Sequence, residues 1–126
     1  MIKQTLTSPA AAPAIGPYSP AVQAERLVFF SGQVPFDSAG AVVGETAAEQ
    51  ARQALVNLHH LLEAGALTSH AVVKTTIFLT DMKDFAAVND VYAEFFEKPY
   101  PARSTVAVAA LPKGVKVEIE AIAMRE

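Results

Sequence analysis

Apolar and polar positions divide the chain into short elements of two different periods. Residues 21–23 and 26–31 read as two strands, and the second carries Leu27, Val28, Phe29 and Phe30 in unbroken succession. Successive strand residues project to opposite faces, so both faces of this strand need cover, and a chain with few helices covers only one. The other face calls for a partner subunit. Residues 32–44 read as a loop, after which Thr46-Ala47-Ala48-Glu49 matches a capping box that starts a helix. Ala51, Leu55, Leu58 and Leu62 then recur at helical spacing, Glu49, Arg52, Gln53, His60 and Glu63 take the opposite side, and Gly65 supplies a stop.

Residues 72–80 are rich in β-branched side chains and predict a strand, followed by a polar turn at 81–83. Asp84 is the expected N-cap of a second helix, with Phe85, Val88, Val91, Tyr92 and Phe95 as its apolar stripe up to Lys98, where Pro99 and Pro101 forbid continuation. Two last strands are expected at 103–110 and 115–124, linked by Leu111-Pro112-Lys113-Gly114, and a further one at 2–6. The order β-β-α-β-α-β-β gives an α+β fold, a mixed β-sheet with two helices packed on one face.

Composition narrows the class. A length of 126 residues suits a single domain, 1–126, with no room for a second. Hydrophobic residues reach 52% and charged ones 18%, which argues against disorder and leaves apolar surface for another subunit. The net charge of −3 exerts no general pull on nucleic acid or anionic lipid. Zero cysteines remove disulfides, thiolate nucleophiles and cysteine-ligated metals, and fit the cytosol. Uncharged residues 4–24 contain Pro9, Pro13, Pro17 and Pro20, which bar a spanning helix and a signal-peptide core, so a soluble, cytoplasmic protein with no membrane partner is expected.

Candidate chemistry sits mainly on the last two strands. Val117 and Ile119 share one face of the final strand, expected to meet the helices, while Lys116, Glu118 and Glu120 share the other with Ile122 and Met124. On a bare face these carboxylates are ordinary solvated residues. At a subunit interface a carboxylate needs a partner, and Arg103, at the start of the adjacent strand, is the candidate. Arg103 reads either as a structural ion pair or as a carboxylate anchor, since a planar guanidinium matches two carboxylate oxygens. Ser104, Thr105 and Ser31 carry little weight alone, and nothing around Ser31 resembles a hydrolase triad. His59, His60 and His70 lack metal-ligand spacing, and no phosphate loop, dinucleotide fingerprint or HExxH is present. A protein without cofactor or metal is the expectation.

Four segments taken together resemble a known family: Ala14-Ile15-Gly16-Pro17-Tyr18-Ser19-Pro20, Phe30-Ser31-Gly32-Gln33-Val34-Pro35, Pro101-Ala102-Arg103-Ser104 and Val117-Glu118-Ile119-Glu120-Ala121. With Gln50-Ala51-Arg52-Gln53-Ala54 and Val73-Lys74-Thr75-Thr76 between them, they look like the Rid/YjgF family of reactive-intermediate deaminases, the RidA subgroup in particular. The resemblance spans essentially the whole chain. It implies a chorismate-mutase-like subunit in a homotrimer, helices outside, sheets forming a central barrel, and active sites in clefts between subunits. It also implies cofactor-free hydrolysis of enamine and imine acids such as 2-aminoacrylate, 2-iminopropanoate and 2-iminobutanoate to 2-keto acids and ammonia.

Matched position by position, the resemblance makes Arg103 the holder of the substrate carboxylate and Glu118 the residue that positions the hydrolytic water, with Tyr18 and Ser31 as the other active-site residues. Gly32, Asn89 and Thr105 line the cleft. Thr105 stands where many bacterial relatives have cysteine, which removes a thiol but keeps the same main-chain carbonyl and amide. Two other functions stay open: an RNA-binding translation inhibitor or endoribonuclease, against which the charge balance speaks, and a non-catalytic small-acid-binding protein using the same cleft.

Overall fold

The computed structural model describes residues 2–126. Six strands form one sheet: β1 (Lys3–Leu6), β2 (Ala21–Ala24), β3 (Leu27–Gln33), β4 (Val72–Leu79), β5 (Ala102–Ala107) and β6 (Val117–Met124), in the spatial order β1-β2-β3-β6-β4-β5. Helices α1 (Ala47–Ala64) and α2 (Phe85–Phe95) pack against each other and against one face. Every neighbouring pair is antiparallel except β4 and β5, which run parallel because the chain crosses over through α2 between them. This is the mixed α+β architecture that the pattern predicts.

Alternation places the core. Val117, Ile119, Ala121 and Ala123 of β6 are buried with Val28 and Phe30 of β3 and Ile77 and Leu79 of β4 beneath the stripe Ala51, Leu55, Leu58 and Leu62 of α1. The intervening residues point away from the helices. There Phe29 lies opposite Ile122, and Leu27 opposite Met124, beside Glu118, Glu120 and Thr76. Phe29 is 42% and Met124 43% exposed, so this second face carries large apolar side chains with no helix over it.

α1 starts on the expected box: the Thr46 hydroxyl accepts from the Glu49 amide, and the Glu49 carboxylate accepts from the Thr46 amide. Its end is a Schellman turn, but the left-handed residue is Ala66 (φ 57°), while Gly65 has φ −94°. The Leu67 amide donates to Leu62 and the Ala66 amide to Glu63. A Cβ at Gly65 would press on the end of the Leu6 side chain.

Several boundaries differ from expectation. Asp84 caps nothing with its side chain; Asp81 does so one turn earlier, accepting from the Lys83 amide and opening a 3-10 turn that runs into α2. α2 stops at Phe95, before Lys98. β3 continues through Gln33 by way of a bulge between Phe30 and Gln33, β5 ends at Ala107, and β6 begins at Val117. The most consequential difference is in strand order. β5 is not adjacent to β6, because β4 lies between them, so Arg103 is not Glu118's cross-strand partner.

Candidate active site

The proposed site residues fall into two groups. The first gathers where the bulged end of β3 meets β6. The Ser31 hydroxyl donates to the Ser19 carbonyl at 2.7 Å, and the Ser31 amide to the Pro20 carbonyl at 2.9 Å, fastening the Tyr18-bearing loop to the sheet. Tyr18 and Gly32 line one small cleft with Pro13, Pro20 and Gln33, and the Tyr18 hydroxyl accepts from the Ile15 amide. Gly32 lies directly against Glu118: a Cβ at position 32 would overlap the Glu118 carboxylate. Burial, and secondarily the neighbouring Glu120 charge, push the Glu118 carboxyl above its ordinary value of 4.5.

The second group lies on the outer edge, on the helix side of the sheet. Arg103 pairs with Thr75 and Thr105 with Ile77 in the parallel ladder, which puts both side chains on the face where Thr75 and Ile77 are buried. Arg103, Asn89, Tyr92, Ala93, Tyr100 and Pro101 line a cavity of about 280 Å³. The Arg103 guanidinium carbon is 4.9 Å from the Tyr92 ring centroid and 5.6 Å from that of Phe85. Among the described residues no carboxylate comes within ion-pairing distance of Arg103, and its side chain donates no hydrogen bond to the protein. Within one chain its donors are therefore uncommitted. The Thr105 hydroxyl is buried and unpartnered.

Within one subunit the two groups do not meet. Arg103 is level with Ala121, three residues along from Glu118 and across the intervening β4, and the two side chains leave opposite faces of the sheet. Strand rise and spacing put their Cα atoms roughly 14 Å apart.

The family model described as endoribonuclease L-PSP matches residues 9–125. A Yersinia pestis structure described as belonging to the conserved Rid protein family superposes with a TM-score of 0.94 at 42% identity, covering 98% of this chain and 99% of that one. The chain belongs to the Rid/YjgF family. Among curated Rid relatives, the mouse protein named 2-iminobutanoate/2-iminopropanoate deaminase is 47% identical over 126 residues, covering 99% of this chain and 93% of that protein. The Salmonella typhimurium protein of the same name is 46% identical over 127 residues, covering 98% and 99%. E. coli TdcF with bound serine superposes with a TM-score of 0.91 at 42% identity, covering 98% and 99%.

The sequence reads Tyr92 as part of an apolar stripe and Thr75 only as part of a family segment, with no role for either. Both are buried, and their hydroxyls are 2.7 Å apart. A tyrosine among side chains that otherwise carry no polar atom was the available signal, because its buried hydroxyl requires a partner. Among the described residues no three His, Asp or Glu side chains gather as a metal site, and no helix is long and apolar enough to cross a membrane.

Proposed function

We propose that the protein is a cofactor-free hydrolytic deaminase of 2-imino and 2-enamino acids, producing 2-keto acids and ammonia. The observation that carries this reading is Arg103, a guanidinium facing a cavity with every N–H donor uncommitted among the described residues. Such a group binds a small carboxylate through two charge-assisted hydrogen bonds, worth roughly 1.5–3 kcal/mol. The names of the Rid relatives in mouse and Salmonella supply the substrate class.

The reaction needs an oriented acid, a water and a proton route. An enamine takes a proton at C3 to become the iminium. Water then attacks C2, the C–N π pair moves to nitrogen, and Glu118 accepts the proton that the water loses. That proton passes to nitrogen, the C–N bond breaks, ammonia leaves, and the remaining hydroxyl proton departs as the keto group forms. The Tyr18 hydroxyl accepts from the Ile15 amide and keeps its own proton to relay, while the Ser31 hydroxyl, donating to the Ser19 carbonyl, holds the Tyr18 loop in place. Asn89 and Thr105 stand with Arg103 on the carboxylate side, and Gly32 leaves room for the Glu118 carboxylate.

The site is complete only in an assembly. We infer a homotrimer in which the Arg103 group of one subunit faces the Glu118 group of its neighbour, because one chain holds the two on opposite sheet faces. The exposed Phe29 and Met124 on the helix-free face support burial against other copies. The absence of cysteine supports action in the cytosol. A ribonuclease reading has the family model's description in its favour, while a net charge of −3 gives RNA no general attraction.

The test generates 2-iminopropanoate in place with a dehydratase and compares 2-keto acid appearance with and without the protein, alongside an RNA-cleavage assay. Accelerated hydrolysis is expected. An unchanged rate with wild-type protein rejects the reading, and RNA cleavage lost in Arg103→Ala favours the alternative.

A further inference from the structure

Arg103 is held without an ion pair, and what holds it is aromatic. An arginine fixed by a carboxylate has its charge compensated and its donors occupied. One laid against ring faces is held through the ring quadrupole and keeps its N–H edge open. Tyr92 and Phe85 provide those faces at 4.9 and 5.6 Å. Tyr92 is itself fixed: its hydroxyl meets the Thr75 hydroxyl at 2.7 Å, and Phe96 lies 4.6 Å from its ring. Thr75 is fully buried and is also the register partner of Arg103. One lateral line thus ties α2, β4 and β5 at the guanidinium.

The Thr75–Tyr92 pair is a polar contact inside the core. Replacing both hydrogen-bonding partners by apolar groups of the same shape is close to neutral for stability. The hydrogen bond between the two hydroxyls fixes the orientation of the Tyr92 ring. The ring they fix is the nearer one beneath Arg103.

We propose that Tyr92, with Phe85, is a positioning residue for carboxylate recognition: the two rings seat Arg103 so that its donors stay open to the substrate, and the Thr75 hydroxyl sets the Tyr92 plane. This rests on the deaminase reading of the site. The substrate carboxylate keeps its charge throughout the reaction, so weakening its anchor removes ground-state and transition-state binding alike, and the loss falls on KM.

The experiment measures kcat and KM for dehydratase-generated 2-iminopropanoate, and separately the dissociation constant of pyruvate as a stable 2-keto acid, in the full-length protein and its variants. Tyr92→Leu is expected to raise KM and the pyruvate dissociation constant together by roughly tenfold, with kcat moving much less. Tyr92→Phe keeps the ring but loses the Thr75 brace, and falls between Tyr92→Leu and wild type. A folded Tyr92→Leu protein with unchanged KM and pyruvate affinity overturns the proposal, as does a fall in kcat alone. If Tyr92→Leu does not fold, Phe85→Leu decides. Its ring is more than one-third exposed, so its loss spares the core; a several-fold rise in KM and pyruvate dissociation constant supports the seat, and unchanged values overturn it. Pyruvate binding that weakens in the variants while wild type fails to hydrolyse the imine supports the seat and rejects the deaminase reading alone.

Discussion

Gly32 and Glu118 occupy neighbouring strands so closely that the glycine's missing side chain is the space filled by the glutamate's carboxylate. A methyl group there collides with the movable end of Glu118, not with backbone, so the fold can yield by swinging the carboxylate aside. Gly32→Ala is therefore expected to cost little stability and much catalysis. A drop in kcat of tenfold or more is expected, on the scale that misplacing a catalytic group by about 1 Å produces, with a nearly unchanged thermal midpoint. Steady-state kinetics beside a melting curve check this; normal turnover means that Glu118 has no catalytic placement to lose.

The separation of Arg103 from Glu118 within one chain yields a complementation experiment. Arg103→Ala and Glu118→Gln are each expected to be inactive as pure proteins. In the proposed homotrimer, unfolding them together in equal amounts and refolding gives mixed trimers in which one seam in three joins an intact arginine to an intact glutamate. Random assembly then restores about a quarter of wild-type activity. A mixture as inactive as its components refutes the shared site.

Glu118 also sets a pH dependence. Its carboxyl titrates above the ordinary 4.5, chiefly through burial and then through Glu120. As pH rises from about the unfolded value through the raised folded one, the unfolded chain has already released its proton and the folded chain has not, so folding stability falls across that window and levels off above it. Glu118→Gln escapes the penalty. It is expected to be more stable than wild type at neutral pH and to lose that advantage below the unfolded pKa, as melting curves across pH reveal. For the wild type, the role of Glu118 as base makes kcat/KM rise with pH as its carboxyl ionises.

Asn57 holds the segment that follows Gly32. Its buried amide donates to the Val34 and Phe36 carbonyls, each at 2.9 Å, joining α1 to the small cluster of Val34, Phe36 and Val115. Asn57→Leu removes one donor from each carbonyl, while the Phe36 amide still donates to Val34 and the Gln53 side chain to Phe36, so each lost hydrogen bond costs about 0.5–1.5 kcal/mol. Urea denaturation is expected to show a loss of roughly 1–3 kcal/mol; a change below about 0.5 kcal/mol, the level of an ordinary surface substitution, contradicts the assigned role.

Local rules determined a good deal of this protein. The period of Ala51, Leu55, Leu58 and Leu62 fixes the buried side of α1, and alternation along Val117–Met124 assigns core and open faces correctly, because both follow from backbone geometry within one element. Family segments named the arginine and the glutamate. Chain order alone could not say that β4 lies between β5 and β6, since strand neighbours are chosen by non-local hydrogen bonding and by the crossover through α2. The register that levels Arg103 with Ala121 sends Arg103 and Glu118 to opposite faces and makes the proposed shared site a question of assembly. The tertiary structure also decided what lies beneath the arginine: Tyr92 and Thr75, seventeen positions apart, become one hydrogen-bonded seat only when α2 folds over β4, a contact no local pattern encodes.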